Sequence, residues 1–397
     1  MSREQPVVSA DEVPLRVTTL ELFFDLVFAF TLTQLTAILD SGLSLAAGAQ
    51  VLLIFGLLWW MYEGYAWLTN ARPPVHSAER VLLLAGMAGF LVVGLAIPHG
   101  FGSDGVMLGL GYLVVVVVHA FLYYRVNANI LRIAPFNIAS ALLVIIAGVA
   151  GGPARYPLWA AALVIQLGSP LIVHPRSLFA LRPAHMVERH SALLIVALGE
   201  SVAAIGIGAA TRDGHAAGTP TALAVSSVLG LALAAALWWV IFGGRDEERT
   251  EQVLTAATSE RRTQLGLTAL FYGNVPVLLG LVAMAAGVQE AIARAGGPGG
   301  WDLGHGELAD AVVLAVGAAA FLAGDVAIRR VLRIGPVGFR SAGAVLALAT
   351  TGLGATAGLG AQLVLLTAVL IAMLLAEQRW SEPRWDGPEP AQPGTAG

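Results

Sequence analysis

Residues 21–35 read ELFFDLVFAFTLTQL, and this stretch decides the fold. Two carboxylates, Glu21 and Asp25, stand in an apolar run that extends over residues 18–40. A helix needs about 20 mostly apolar residues to cross the hydrocarbon core of a bilayer. The run supplies that length without strand-like alternation, and in lipid a backbone must pair its own polar groups, so it reads as a transmembrane helix. Working outward, similar runs recur at 46–69, 80–98, 105–125, 133–151, 156–174, 190–210, 219–243, 264–288, 307–329, 340–356 and 360–377. The last two are short and Gly-separated, so they read either as a tight hairpin or as a partly re-entrant pair. The expected fold is an all-α polytopic membrane protein of about twelve transmembrane helices.

Composition agrees. Of the 397 residues, 57% are hydrophobic and 12% charged, with mean hydropathy +0.76. A soluble domain carries about 25% charge. There is no Cys, which excludes disulfides and thiolate metal sites. The polar first residues lack the basic region and cleavage site of a signal peptide, so the first apolar run is expected to remain as a span. The end of the chain, 378–397, is rich in Pro and Gly and is expected to be a disordered tail.

Lys is absent, and all 22 basic residues are Arg. If residues 1–17 lie in the cytoplasm, only Arg155, Arg212 and Arg294 fall on the opposite side. That asymmetry follows the positive-inside rule and predicts that both termini are cytoplasmic.

Three short matches suggest an internal duplication. LRIAP at 131–135 recurs as LRIGP at 332–336, Phe121-Leu122 as Phe321-Leu322, and Trp59-Trp60 as Trp238-Trp239. Longer loops at 244–263 and 289–306 absorb the differences in spacing. The expected layout is two parallel six-helix repeats, 18–174 and 190–377. Transporter sites tend to lie between such repeats.

An ionisable group inside a span costs a few kcal/mol or more and normally faces the bundle interior or a water cavity. Glu21 and Asp25 are i, i+4 and share a helix face. Glu63 lies in WWMYEGYAWL, His119 in VVVVVHAFLYYR, and Glu200 in ALLIVALGESVAAIG near the middle of the seventh run. Asp325 lies near the end of the tenth. These groups form a polar funnel from the cytoplasmic side that ends at Glu200. Thr31, Thr33, Gln34 and Thr36 extend it as a polar stripe, as do Gln166, Ser169, Tyr272 and Asn274. Aligning the Trp pairs sets Glu200 opposite Glu21, and a looser alignment sets it opposite Asp25, which fits its depth better.

Each group also has a plain structural reading. Glu21 can sit in water at a helix start, and Glu63 can snorkel to the headgroups. His119 can be a neutral hydrogen-bonded His, and Asp325 can pair with Arg329 on the surface. Glu188, Arg189 and His190 can form local salt bridges at the mouth of the seventh helix. Glu200 has the weakest such reading, because lipid offers it no water.

ELFFDLVFAFTLTQL at 21–35 and ERHSALLIVALGES at 188–201 together resemble the two signatures of the bacterial low-temperature-requirement A (LtrA) family. The resemblance implies a multi-pass protein of the bacterial inner membrane. It marks Glu21, Asp25, Glu188, Arg189, Gly199, Glu200 and Ser201 as motif positions. It brings no mechanism, and the family name describes a growth phenotype under stress.

No Walker, H-E-x-x-H or G-x-S-x-G pattern is present. No cofactor, metal or nucleic-acid partner is therefore expected. The six-plus-six plan is that of the major-facilitator fold, but TNARPPVHSAER lacks that superfamily's G-x-x-x-D-R-x-G-R-R loop. The expected partners are the lipid bilayer and a small solute or ion. The leading expectation is a secondary transporter or channel using intramembrane carboxylates, linked to a proton or cation. Two alternatives stand beside it: an enzyme acting on lipid headgroups at the cytoplasmic leaflet, and a stress-adaptation scaffold without transport.

Overall fold

The computed structural model describes residues 16–40, 42–173, 181–210, 220–295 and 307–380. Most of the N-terminal segment and nearly all of the expected disordered tail lie outside the described residues. The described residues form helices and no strands. They are α1 (Thr19–Asp40), α2 (Leu45–Ala71), α3 (Ser77–Ala96), α4 (Gly105–Tyr124), α5 (Ala134–Ala150), α6 (Arg155–Val173) and α7 (Pro183–Ala210). These are followed by α8 (Pro220–Phe242), α9 (Asp246–Ala256), α10 (Ser259–Leu265), α11 (Gly273–Ala295), α12 (Leu308–Leu332), α13 (Gly338–Ala357) and α14 (Leu359–Trp380). A π-helical segment, Gly266–Tyr272, joins α10 to α11.

Nine helical stretches among the described residues are long and apolar enough to cross a membrane. Large apolar side chains point outward, among them Leu26, Val149, Val164, Val228, Val345 and Leu375. Charged side chains are buried inside. In water this arrangement would fail; in lipid the hydrocarbon solvates the outer surface and the bundle interior shields the charges.

Local chemistry sets the helix ends. Ser44 Oγ accepts from Ala47 N–H (3.0 Å) and caps α2. Pro135 occupies the first turn of α5, where its missing N–H costs nothing. Gly358, at φ +86°, reverses the chain between α13 and α14. The last two apolar runs form two helices of 20 and 22 residues, of which α14 is among the stretches long and apolar enough to cross a membrane. The seventh run begins earlier than its hydropathy indicates, at Pro183, so Glu188, Arg189 and His190 lie within α7 rather than at its mouth.

We call the end of the bundle where α1 begins the near end. The core is built on α1, which packs against α2, α3, α7 and α11. Glycines let neighbours approach closely. A Cβ on Gly148 would stand 2.4 Å from the Gly105 backbone carbon, and one on Gly109 would meet Ile145 at 2.7 Å. Gly105 and Gly109 form a G-x-x-x-G face on α4 against α5. Gly148→Ala is expected to destabilise the protein by about 1–3 kcal/mol through overpacking. Thermal unfolding of the purified protein in detergent measures this, and an unchanged midpoint would mean that the α4–α5 contact is loose.

Just after the π-helical segment, in the first turn of α11, Pro276 can offer no N–H to Tyr272 O, four residues before it. Two other side chains take up nearby carbonyls: Asn274 Nδ2 donates to Leu270 O (2.7 Å) and Trp59 Nε1 donates to Phe271 O (3.1 Å). The second bond ties α2 to the segment. Trp59 is buried and stacks on Phe55 and Tyr62, whereas Trp238 and Trp239 are 44% and 47% exposed. The matching Trp pairs therefore occupy unlike environments.

Candidate functional site

The heart of the bundle is a charged node where α1, α2 and α7 meet at the near end. Glu21 and Asp25 do share one face of α1, and both are fully buried. Arg189, on α7, lies between them, with NH2 2.9 Å from Asp25 Oδ1 and NH1 3.4 Å from Glu21 Oε1. Asp25 Oδ1 also accepts from Tyr62 OH (2.8 Å), while Asp25 Oδ2 is buried without a hydrogen-bond partner. The guanidinium lies 5.6 Å from the Phe24 ring centroid and 5.7 Å from that of Tyr62, within cation–π range. Arg189 itself is 1% exposed.

His185 completes the node. Its Nδ1 lies 3.2 Å from Asn70 Nδ2, an N–H donor, so Nδ1 accepts and the ring hydrogen sits on Nε2. That hydrogen faces Glu21 Oε1 at 3.0 Å. Asn70 is fixed by Arg182, whose carbonyl and N–H it binds at 3.0 Å each. With His185 neutral, two carboxylates face one guanidinium, and the ionised node carries one negative charge in excess.

Next along α7, His190 meets Glu63 of α2, with Nε2 2.8 Å from Oε1. His190 Nδ1 lies 2.8 Å from Met186 O. A carbonyl only accepts, so Nδ1 keeps its hydrogen. The Nε2···Oε1 contact then holds one proton, either on His190 as an ion pair or on Glu63 as a neutral pair. The net charge is the same in both. Glu63 Oε2 is buried without a partner.

This pair stands between two cavities. His190 borders a space of about 90 Å³ that also touches Asn274, Asp246, Glu247, Asp325 and Arg329. Glu63 borders another of about 180 Å³ with His119, Asn137, Trp60 and Tyr272. His119 is buried, in ring contact with Tyr65 and Tyr123, and its Nε2 has no hydrogen-bond partner.

Glu200 is buried farther from the near end. Thr33 Oγ1 donates to its Oε2 at 2.5 Å, while its Oε1 and the neighbouring Ser201 Oγ are buried without partners. No ion pair involves Glu200 among the described residues. Its partner is Thr33 rather than Asp25, about 12 Å farther along α1 at 1.5 Å per residue. This corrects the expectation from the aligned Trp pairs: α1 and α7 lie side by side in parallel, so the acid on α7 meets the hydroxyl stripe of α1.

The other expected residues scatter. Gln34 is half-buried on α1, and no hydrogen bond joins it to the node among the described residues. Glu188 is partly exposed, accepts from Val17 N–H (3.2 Å) and faces Arg16, holding the chain that enters α1. Asn274 supports the π-helical segment. Gln166 exchanges hydrogen bonds with Tyr112 and donates to Asn137 (3.3 Å) on the wall of the larger cavity.

A second buried ion cluster closes the near end. Arg329 contacts Asp246 and lies 3.2 Å from Glu377 and 3.6 Å from Asp325. Arg340 binds Asp325 (2.7 Å), Glu377 (2.9 Å) and Val240 O (2.9 Å). The i, i+4 pair of Asp325 with Arg329 exists, but inside this cluster rather than on the surface. It joins α8, α9, α12, α13 and α14. Asp246, Arg340 and Glu377 carry no local motif, and only the fold brings them together.

The node lies within a stretch of the chain that matches a known family. Residues 16–376 match the family of the bacterial low temperature requirement A protein (LtrA). The chain belongs to the LtrA family. It is also 26% identical over 327 residues to a Rhizobium meliloti (strain 1021) protein named Uncharacterized protein RA0937, covering 78% of this chain and 76% of that one. The two stretches that resemble LtrA signatures, 21–35 and 188–201, lie on α1 and α7, and their charged residues Glu21, Asp25 and Arg189 are in direct contact. Glu200, in the second signature, contacts Thr33, in the first.

Proposed function

We propose that this LtrA-family protein is a proton-linked secondary transporter of the bacterial inner membrane, with its near end in the cytoplasm. The observation that carries the reading is the Glu63–His190 pair: one shared proton, held between two cavities, that changes owner without a change in net charge. A proton exchanged within such a pair leaves the net charge of the low-dielectric interior unchanged. Glu200 is the next protonatable group along α7. Its Oε1 is a buried oxygen without a hydrogen-bond partner, and no ion pair involves it among the described residues.

The Arg asymmetry supports the orientation. We further propose that α5, α6 and α13 complete twelve crossings in two parallel repeats. The matching order of neighbours supports the repeat: α3–α4, α4–α5 and α5–α6 pack in sequence, as do α11–α12, α12–α13 and α13–α14. A lipid-headgroup enzyme fits less well, because Glu21 and His190 are buried in separate pairs while Glu188 faces Arg16. A scaffold without transport leaves the orphan carboxylate oxygens of Glu63, Asp25 and Glu200 unexplained.

Proton flux through purified protein in liposomes, read with an entrapped pH dye, tests the proposal. Wild-type protein is expected to carry a flux, and Glu200→Gln to lower it about a hundredfold, the scale of losing a positioned proton carrier. Undiminished flux in Glu200→Gln would remove Glu200 from the path. No flux from well-folded wild-type protein would refute proton-linked transport.

A further inference from the structure

We propose that the cavity of about 180 Å³ beside Glu63 is a binding site for a small aromatic ammonium ion, one ring carrying one protonated amine. The proposal rests on the transport reading in one respect only, that the bound cation would be the cargo.

The walls are aromatic, with Trp60, Trp67, Tyr123, Phe271 and Tyr272 among them. Aromatic faces attract both a flat ring and a cation. The polar groups converge on one side. Glu63 Oε2 is an orphan acceptor on a residue that is 1% exposed, and the carboxylate's other oxygen is already engaged by His190. His119 Nε2 is also an orphan; a Cβ on Gly64 would stand 3.0 Å from it, so the ring packs against the backbone next to Glu63. A buried carboxylate oxygen without a donor is costly. An ammonium group supplies up to three N–H donors and the missing positive charge. His119 Nε2 stands beside the same carboxylate as a second polar atom facing the ligand.

Volume and charge select the ligand. The cavity suits a single substituted ring and is too small for a dicationic or polycyclic one. An anion would face Glu63 with no cation on the wall. A neutral ring would fill the space but leave both orphan atoms unpaired, which is the strongest form of discrimination available to a polar site. Cargo and proton meet at one carboxylate.

Titration calorimetry of the full chain in detergent tests this, with benzylammonium as the probe and benzyl alcohol as its neutral counterpart. Benzylammonium is expected to bind one per chain, at least about tenfold more tightly than benzyl alcohol. Glu63→Gln should weaken benzylammonium by about tenfold or more and leave benzyl alcohol nearly unchanged. Leu267→Trp, which fills the cavity from the π-helical segment, should abolish both and leaves Glu63 in place should Glu63→Gln fail to fold. Absence of benzylammonium binding, equal affinity for the alcohol, or full affinity in Leu267→Trp would each overturn the proposal. Binding without proton flux in liposomes would refute transport and keep the site; flux without binding would do the reverse.

Discussion

Arg189→Met is expected to destabilise the protein by about 3–5 kcal/mol, the cost of breaking a buried charge cluster from one side. Met keeps much of the length and the apolar contact with Phe24 and Tyr62, so the loss is electrostatic rather than steric. Without the guanidinium, Glu21 and Asp25 share a face of α1 as two buried carboxylates. Thr18 still donates to Glu21, Tyr62 still donates to Asp25 and His185 Nε2 still lies 3.0 Å from Glu21 Oε1, but the two hydroxyls supply no charge. The check is the unfolding midpoint in detergent, with a charge-balanced partner measured alongside. Glu21→Gln/Asp25→Asn/Arg189→Met removes the net charges of all three and should recover most of the stability, because a buried ion cluster contributes little net stability relative to neutral groups of similar shape. If Arg189→Met alone melts like wild type, the guanidinium does not hold the node together.

Glu63→Gln is expected to show the opposite signature: a fold loss of only about 1 kcal/mol with proton flux down by about a hundredfold or more. The amide keeps the size of the carboxyl group and can still donate to or accept from His190 Nε2. It cannot take the proton. His190 then has no partner with which to exchange it, and the two cavities lose their link. His190→Gln should behave alike, and the double variant should be little worse than either single one, since both act on the same proton. Flux that survives in Glu63→Gln would show that protons pass elsewhere or not at all.

Much of this was legible in the sequence, for physical reasons. The helix positions follow from runs of apolar residues that only lipid tolerates, and the buried acids stand out because they interrupt those runs. The i, i+4 spacing of Glu21 and Asp25 set both on one face, and they are found there. Arg189 was harder to interpret. It follows Glu188 and precedes His190 in a polar stretch opened by Pro183, and hydropathy places such a stretch in water. Only the packing of α1 on α7 makes it a buried counter-ion, a contact between residues more than 160 positions apart. Tyr62 and His185 were missed for the same reason, although Tyr62 lies next to the singled-out Glu63. The cluster of Asp246, Arg329, Arg340 and Glu377 draws on four separate helices, and no spacing rule reaches that far.

The π-helical segment Gly266–Tyr272 bears on how relatives of this chain are compared. A π turn accommodates one residue more than an α-helix of similar rise. A relative that lacks this residue has its helix N-terminal to the segment out of phase by about 100°, the angle between successive residues. Matched letter by letter across that point, the cavity-facing Thr263 and Leu267 would be set against residues that look into the lipid, while Asn274 and everything after it stayed in step. In such a comparison a one-residue gap inside 266–272 marks a change of phase rather than a lost loop, and the two sides of the gap should be aligned independently.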